Sequence, residues 1–400
     1  MTQLAETLFR NTPPIAWRQL LSLQHFQQST QNSTNIKQVT YCQGKFNISA
    51  QQQQVMNKPN CGSSSGSDNN SYYLTLIGPT VASDALLTLL SALSTLQPSA
   101  DIIIYPPATY PLAMEPLVTD PRTTDPLINS NATQGNIVVL GFTELFTELS
   151  AELRQQFNAR LSSWSNDYHV DYAFSQTLPS LSQPGVVLMD MDSTTIQIEC
   201  IDEIAKLAGV GEQVAAVTAK AMNGELDFSE SLRSRVATLT NCPEAVLTQV
   251  ADAMPLMPGL ELLIATLHRA NWKVAIASGG FTYFAERLQA DLGFDAVYAN
   301  ELEIVDGLLT GKVIGDIVDA QVKADTLQAL ATQYQIAPQQ TVAIGDGAND
   351  LIMLKSAALG VAIHAKPIVQ QQAQVALNHH DLEGLVGLLY AATCVEASWS

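Results

Sequence analysis

The chain has 400 residues and a formal net charge of −19, enough length for two or three domains and an acidic balance that argues against nucleic acid or an anionic membrane as partner. Its five cysteines, Cys42, Cys61, Cys200, Cys242 and Cys394, are odd in number and lack CxxC spacing, so neither a disulfide framework nor a zinc site is expected. With no long apolar run and no basic-then-apolar amino terminus, the reading is a soluble, cytoplasmic protein.

Residues 1–71 are rich in Gln, Asn and Ser, as in Gln51-Gln52-Gln53-Gln54 and Gly62-Ser63-Ser64-Ser65-Gly66. Such composition buries too little apolar surface to offset chain entropy, which predicts a mobile tail or insertion. A short apolar cluster around Ile15 to Phe26 could form a docking helix.

From Tyr72 the pattern changes. Tyr72 to Ile77 reads as a strand, and Leu86, Leu89, Leu90 and Leu93 recur at helical spacing. Asp101 to Tyr105 and Asn136 to Phe142 read as further strands, separated by a stretch from Pro106 to Pro126 that proline should keep irregular. An amphipathic helix over Thr143 to Trp164 and a strand over His169 to Phe174 complete a β-α-β-β-α-β order for residues 72–177. That order matches a ferredoxin-like α+β sandwich, and its place ahead of a second domain resembles ACT-type modules that bind amino acids. A ligand sensor and a module that only packs or forms a homodimer both stay open. Leu178 to Gly185, with Pro179 and Pro184, reads as the linker.

Residues 185–400 read as a Rossmann-like α/β domain with three chemically marked strands. Val186 to Met189 is an apolar run that ends in Asp190-Met191-Asp192-Ser193-Thr194-Thr195. A continuous apolar run suits a strand buried on both faces of a parallel sheet, and ligands of such sheets lie beyond the strands' carboxyl ends. Asp190 and Asp192 share a face at i and i+2, so their charges crowd one small volume and call for a cation such as magnesium. Lys273 to Ala277 is a second such strand, followed by Ser278-Gly279-Gly280, whose hydroxyl and backbone amides open a helix near Phe281; helix amino termini and glycine-rich turns hold phosphates, and such a triplet is also a common plain turn. Thr341 to Ile344 is the third, followed by Gly345-Asp346-Gly347-Ala348-Asn349-Asp350. Between them, residues 199–255 read as an all-helical cap and Glu301 to Gly315 as a hairpin turning at Asp306-Gly307. Lys323 opens the next helix; alone, such a lysine is ordinarily solvated surface.

Asp190-x-Asp192-x-Thr194, Ser278, Lys323 and Gly345-Asp346-Gly347-Ala348-Asn349-Asp350, in this order, resemble the haloacid dehalogenase (HAD) superfamily of aspartate-nucleophile phosphatases. Within it, Glu199-Cys200-Ile201-Asp202-Glu203, Asp227-Phe228, Arg235-Val236 and Ser278-Gly279-Gly280-Phe281 resemble the phosphoserine phosphatase family. The resemblance implies Asp190 as nucleophile and Asp192 as general acid and base. It implies Mg2+ held by Asp190, the Asp192 carbonyl and Asp346, with Asp350 supporting from behind. Ser278, Gly279, Gly280, Lys323 and Asn349 would hold the phosphoryl group; Glu199 and Arg235 would bind the amino and carboxylate groups of O-phosphoserine, with Met222 and Phe228 shaping the pocket. The expected reaction is hydrolysis of O-phosphoserine in serine biosynthesis. A phosphotransferase with another amino-alcohol acceptor such as homoserine, and a catalytically silent amino-acid sensor, are the competing readings.

Overall fold

The computed structural model describes residues 38–42, 45–49, 72–78, 89, 101–104, 108–111, 134–143, 151–222 and 225–397. These divide into two compact units, one formed by the segments up to Leu178 together with Gly387 onward, the other containing Pro179–Val386. The expected docking helix at Ile15 to Phe26, and most of the helix around Leu89, lie outside the described residues.

In the first unit the strands are β1 (Gln38–Cys42), β2 (Lys45–Ser49), β3 (Tyr72–Gly78), β4 (Asp101–Ile104), β5 (Ala108–Pro111), β6 (Gln134–Thr143) and β7 (Asp171–Ser175), with helix α1 (Ala151–Tyr168) before β7. β1 and β2 form a hairpin inside the Gln/Asn/Ser-rich segment, where Val39, Tyr41, Phe46 and Ile48 alternate with polar residues at the strand period. β5 forms inside the proline-rich stretch, because Ala108 to Tyr110 is free of proline and can pair with β6. The order β4-β6-β3-β7, with every neighbour antiparallel, places the first of these four strands in chain order beside the third and fourth. Leu74, Leu76, Ile137 and Val139 are buried, and Phe157 of α1 packs on Phe174 of β7 with ring centroids 4.9 Å apart.

The second unit is an α/β layer structure. Its strands are β8 (Val186–Met189), β9 (Lys273–Phe281), β10 (Ala296–Val305), β11 (Leu308–Ile314), β12 (Thr341–Gly345), β13 (Leu359–Ile363) and β14 (Val375–Leu377). They run β14-β13-β12-β8-β9-β10-β11, parallel except for the β10–β11 hairpin. All four residues of β8 and all five of β12 are buried, as expected for strands covered on both faces. Met189 is in register with Ile344 on one side and Ile276 on the other. The next residues of the three strands therefore emerge level with one another.

Helices α2 (Cys200–Leu207), α3 (Gly211–Met222), α4 (Phe228–Ala237) and α5 (Ala245–Asp252) make up the cap, with no strand among its described residues. α4 opens with a capping box in which Asp227 accepts from the Glu230 N–H and Glu230 accepts from the Asp227 N–H. α6 (Leu260–Arg269) and α7 (Thr282–Leu292) flank β9 in sequence, and α8 (Ala320–Gln333) and α9 (Leu351–Ser356) flank β12. Leu327 and Leu330 of α8 join Met353 and Leu354 of α9 in one core with Val186, Leu188 and Ala275 of the sheet. The β10–β11 turn uses Asp306 and Gly307, both at positive φ, the backbone of a tight hairpin of this kind. Backbone bonds join this hairpin to the cap: Asn241 N–H to Leu309 O at 2.8 Å, Leu309 N–H to Cys242 O at 2.9 Å and Glu244 N–H to Gly307 O at 2.9 Å.

Candidate active site

The level strand ends assemble the acids. Asp190, first residue after β8, has its N–H bonded to Ile344 O of β12 at 2.9 Å, and its carbonyl accepts the Thr195 hydroxyl at 2.5 Å. Its carboxylate Oδ1 takes the Met191 N–H at 2.7 Å and Lys323 Nζ at 2.8 Å. Lys323 is fully buried and divides itself between Asp190 and Asp350, the latter also at 2.8 Å. Burial disfavours the ammonium, but two carboxylates outweigh it and hold the Lys323 pKa above its ordinary value. The surface role a lone lysine would ordinarily have is thereby excluded.

Asp350 is locked from both ends. Its second oxygen accepts the Gly347 N–H at 2.9 Å, and Gly345 carries no side chain because a Cβ there would collide with the Asp350 carboxylate. Carboxylate oxygens of Asp190, Asp346 and Asp350 lie within 4.8 Å of one another, and the Thr194 hydroxyl reaches Asp346 at 3.3 Å. Burial, and then repulsion from Asp190 and Glu199, raises the Asp346 pKa to about 6. A cluster of hard oxygen donors that repel one another has the chemistry of a divalent cation site.

Asp192 stands apart from this cluster. Its carboxyl is buried, and burial followed by repulsion from Glu199 and Asp190 raises its pKa well above the usual carboxylate range. One oxygen, Oδ1, has no hydrogen-bond partner, while Cys200 bonds the carboxylate through its backbone and thiol. Glu199 accepts the Ser193 hydroxyl at 2.8 Å; partial burial raises its pKa and the Arg235 charge opposes the rise. Arg235, on α4 of the cap, has a buried Nε without a partner. Two polar atoms are thus desolvated and unmatched in one site, where a ligand could satisfy them.

Ser278-Gly279-Gly280 is not the turn expected from the sequence. Strand β9 continues through it to Phe281, while α7 starts at Thr282, in agreement with the helix expected near Phe281. The glycines answer to crowding: a Cβ on Gly279 would come within 2.5 Å of the Phe228 ring, and one on Gly280 within 2.7 Å of Met191 Cε and 3.2 Å of Asp192 Oδ2. Extended backbone, rather than a turn, carries the Ser278 hydroxyl, which accepts the Gly280 N–H at 2.9 Å. Phe228 thus reaches from the cap to the strand bearing Ser278. Asn349 lies in a single 3-10 turn, Ala348–Asp350, with its side chain against Gly347. Met222 ends α3, and its side chain lies outside the described residues. Thr195 and Cys200, which bond Asp190 and Asp192, carry no role that the sequence alone assigns; the signals for them are the Asp190 to Thr195 run and the Glu199-Cys200-Ile201-Asp202-Glu203 stretch in which they lie.

The haloacid dehalogenase-like hydrolase family matches residues 184–358. A phosphoserine phosphatase of Vibrio cholerae is 57% identical over 231 residues, covering 58% of this chain and 70% of that protein. One from Idiomarina loihiensis is 52% identical over 212 residues, covering 53% of this chain and 96% of that protein. The chain belongs to the phosphoserine phosphatase family of HAD hydrolases. The crystal structure of a probable phosphoserine phosphatase from Vibrio cholerae, unliganded, superposes with a TM-score of 0.62 at 41% identity, covering 84% of this chain and 92% of that one. Members of this family are phosphoric monoester hydrolases. Among the described residues no helix is long and apolar enough to cross a membrane.

Proposed function

We propose that the protein hydrolyses O-phosphoserine to serine and phosphate, through an aspartyl phosphate on Asp190, as a step of serine biosynthesis. The observation that carries this reading is the pair of acids after one strand end, placed in different surroundings. Asp190 is ion-paired to Lys323, while Asp192 is pushed toward its protonated form. A nucleophile must be charged and a general acid must hold a proton.

In the first half-reaction Asp190 attacks phosphorus and the bond to the serine oxygen breaks. Met191 N–H and Lys323 both engage Oδ1, which leaves Oδ2 for attack. Asp192 gives its proton to the departing serine oxygen. In the second half-reaction Asp192, now a carboxylate, takes a proton from water as that water attacks phosphorus, and the Asp190 carboxylate leaves. Lys323, the Ser278 hydroxyl and Asn349 would hold the phosphoryl oxygens. Glu199 would take the substrate ammonium and Arg235 its carboxylate, while Phe228 would close over the site from the cap.

Asp190, Asp346 and the Asp192 carbonyl would hold Mg2+, with Asp350 orienting them and Lys323. Bound there, the ion would offset the charge of the phosphoryl oxygens and of Asp190.

The deciding experiment is phosphate release from a panel of phosphorylated amino acids and sugars with magnesium present, with and without homoserine as acceptor. Preference for O-phosphoserine without acceptor dependence is expected; phosphate passed to homoserine in place of water would replace hydrolysis with transfer.

For residues 72–177 the antiparallel order β4-β6-β3-β7 supports an ACT-like module.

A further inference from the structure

The two groups that would hold the phosphoryl oxygens come from different parts of the second unit. Ser278 is on β9, and Lys323 is on α8, more than forty residues later. A single buried side chain stands between their supports. Asn300, on β10, is 1% exposed and donates from Nδ2 to Gly279 O at 2.9 Å and Gly280 O at 3.3 Å. Its Oδ1 accepts the Val318 N–H at 2.9 Å.

Val318 precedes Asp319, the cap of α8. The Asp319 side chain accepts the N–H groups of Gln321 and Val322, and its carbonyl accepts the Lys323 N–H at 3.0 Å. The path Gly279–Asn300–Val318–Asp319–Lys323 is therefore continuous in hydrogen bonds and chain. β9 and β10 pair in parallel, but their register shifts between Tyr298 and Asn300, where the amide side chain bonds the Gly279 and Gly280 carbonyls.

We propose that Asn300 is a positioning residue for the phosphoryl site, setting the separation of Ser278 from Lys323 without touching substrate. The inference rests on the reading of Ser278 and Lys323 as phosphoryl ligands. The amide has both kinds of group the site demands, two N–H donors for carbonyls on one side and an oxygen acceptor on the other. An ordinary buried Asn would satisfy backbone and stabilise the fold; one that spans the two halves of an anion site also sets affinity for the anion.

Asn300→Asp tests this selectively, because a carboxylate still accepts from Val318 but cannot donate to the Gly279 and Gly280 carbonyls and repels them. Asn300→Ser serves as a milder variant in which water can replace the lost atoms, should Asn300→Asp fail to fold. Three quantities are measured on the full chain: melting temperature, calorimetric Kd for inorganic phosphate with magnesium, and kcat/KM for O-phosphoserine and p-nitrophenyl phosphate.

A displacement of about 1 Å in a phosphoryl ligand is expected to cost about a hundredfold in kcat/KM on both substrates for Asn300→Asp, and about tenfold for Asn300→Ser. Phosphate Kd should weaken in the same direction. A lower melting temperature with phosphate Kd and both kcat/KM values within about twofold of the parent would make Asn300 purely structural and overturn the proposal. Loss on O-phosphoserine alone would also overturn it. If the parent hydrolyses neither ester, the functional reading fails, and phosphate Kd still reports whether Asn300 shapes the anion site.

Discussion

Lys323 Nζ stands 2.8 Å from Asp190 Oδ1 and the same distance from Asp350 Oδ1, with the lysine fully buried. One cation thus offsets part of the charge of two buried carboxylates, one just after β8 and one in the turn that follows β12. Lys323→Met should leave both uncompensated, costing about 3–5 kcal/mol of stability by denaturant unfolding. Adding Asp350→Asn to Lys323→Met should recover part of that stability without recovering turnover. Unchanged stability in the single variant would mean that the triad contributes nothing to the fold.

Asp190→Asn should abolish turnover, by more than about a thousandfold, because an amide cannot become an acyl phosphate. Its Oδ1 partners, the Met191 N–H and Lys323, both donate to oxygen, which an amide oxygen can still accept, so the fold should persist. Trapping of phosphate on the parent but not on the variant, read by intact mass after rapid quench, would identify the residue. Near-parental phosphate release from a folded variant would remove the mechanism.

Arg235→Ala should lose O-phosphoserine turnover by about a hundredfold, the scale of a desolvated carboxylate left without its partner. p-Nitrophenyl phosphate has neither ammonium nor carboxylate, and its turnover should change far less. Equal losses on both esters would place Arg235 in support of the cap and leave substrate preference unexplained.

Chelation should lower the melting temperature and abolish activity, and magnesium should restore both. At about a hundred times its Kd, a ligand that binds only the folded state adds about 2.7 kcal/mol. Asp346→Asn removes one of three mutually repelling acids, so the chelated variant should melt no lower than the chelated parent while its response to magnesium disappears. A variant still stabilised by magnesium to the parental extent would relocate the metal site.

Away from the site, Asp295 predicts how stability depends on acid. Its burial favours the neutral form, but Lys273 at 2.7 Å, the Val274 N–H at 2.9 Å and His268 at 3.3 Å outweigh that and lower its pKa. A carboxylate with a depressed folded pKa stabilises the fold above its unfolded value, near 3.9, and that contribution is lost as pH falls through the folded pKa. Asp295→Asn should therefore lower the melting temperature at neutral pH, with the gap to the parent closing below about pH 4. Because Lys273 is partly exposed the effect should be modest and should shrink with salt. A gap that is constant from neutral pH to pH 3 would assign the loss to packing.

Much of the catalytic half was legible because its signals are local. Val186 to Met189 and Thr341 to Ile344 are apolar runs that end in acids, and such runs form the buried parallel strands found here. At Ser278-Gly279-Gly280 only the backbone departs from the sequence pattern: glycine pairs ordinarily mark turns, whereas these two are small to admit Phe228 and Met191, partners 51 and 89 residues away in sequence. Asn300 gave no signal at all: an asparagine just before the alternating stretch from Glu301 looks solvated until the fold places it inside β10 and brings Gly279 and Val318 to it. Lys323 is the same case in reverse, a commonplace helix residue whose burial exists only once β8 and β12 are side by side. In the Gln-rich segment, composition masked the short alternation that β1 and β2 use.

The backbone bonds from Asn241 and Glu244 to the β10–β11 hairpin make two insertions, far apart in the chain, into one mechanical part. Lengthening or shortening the hairpin turn would shift the end of α4 that carries Arg235, while the anchored strand ends stay where they are. A family that keeps one phosphate chemistry could therefore alter which ester it accepts by remodelling a surface loop that never meets the ester.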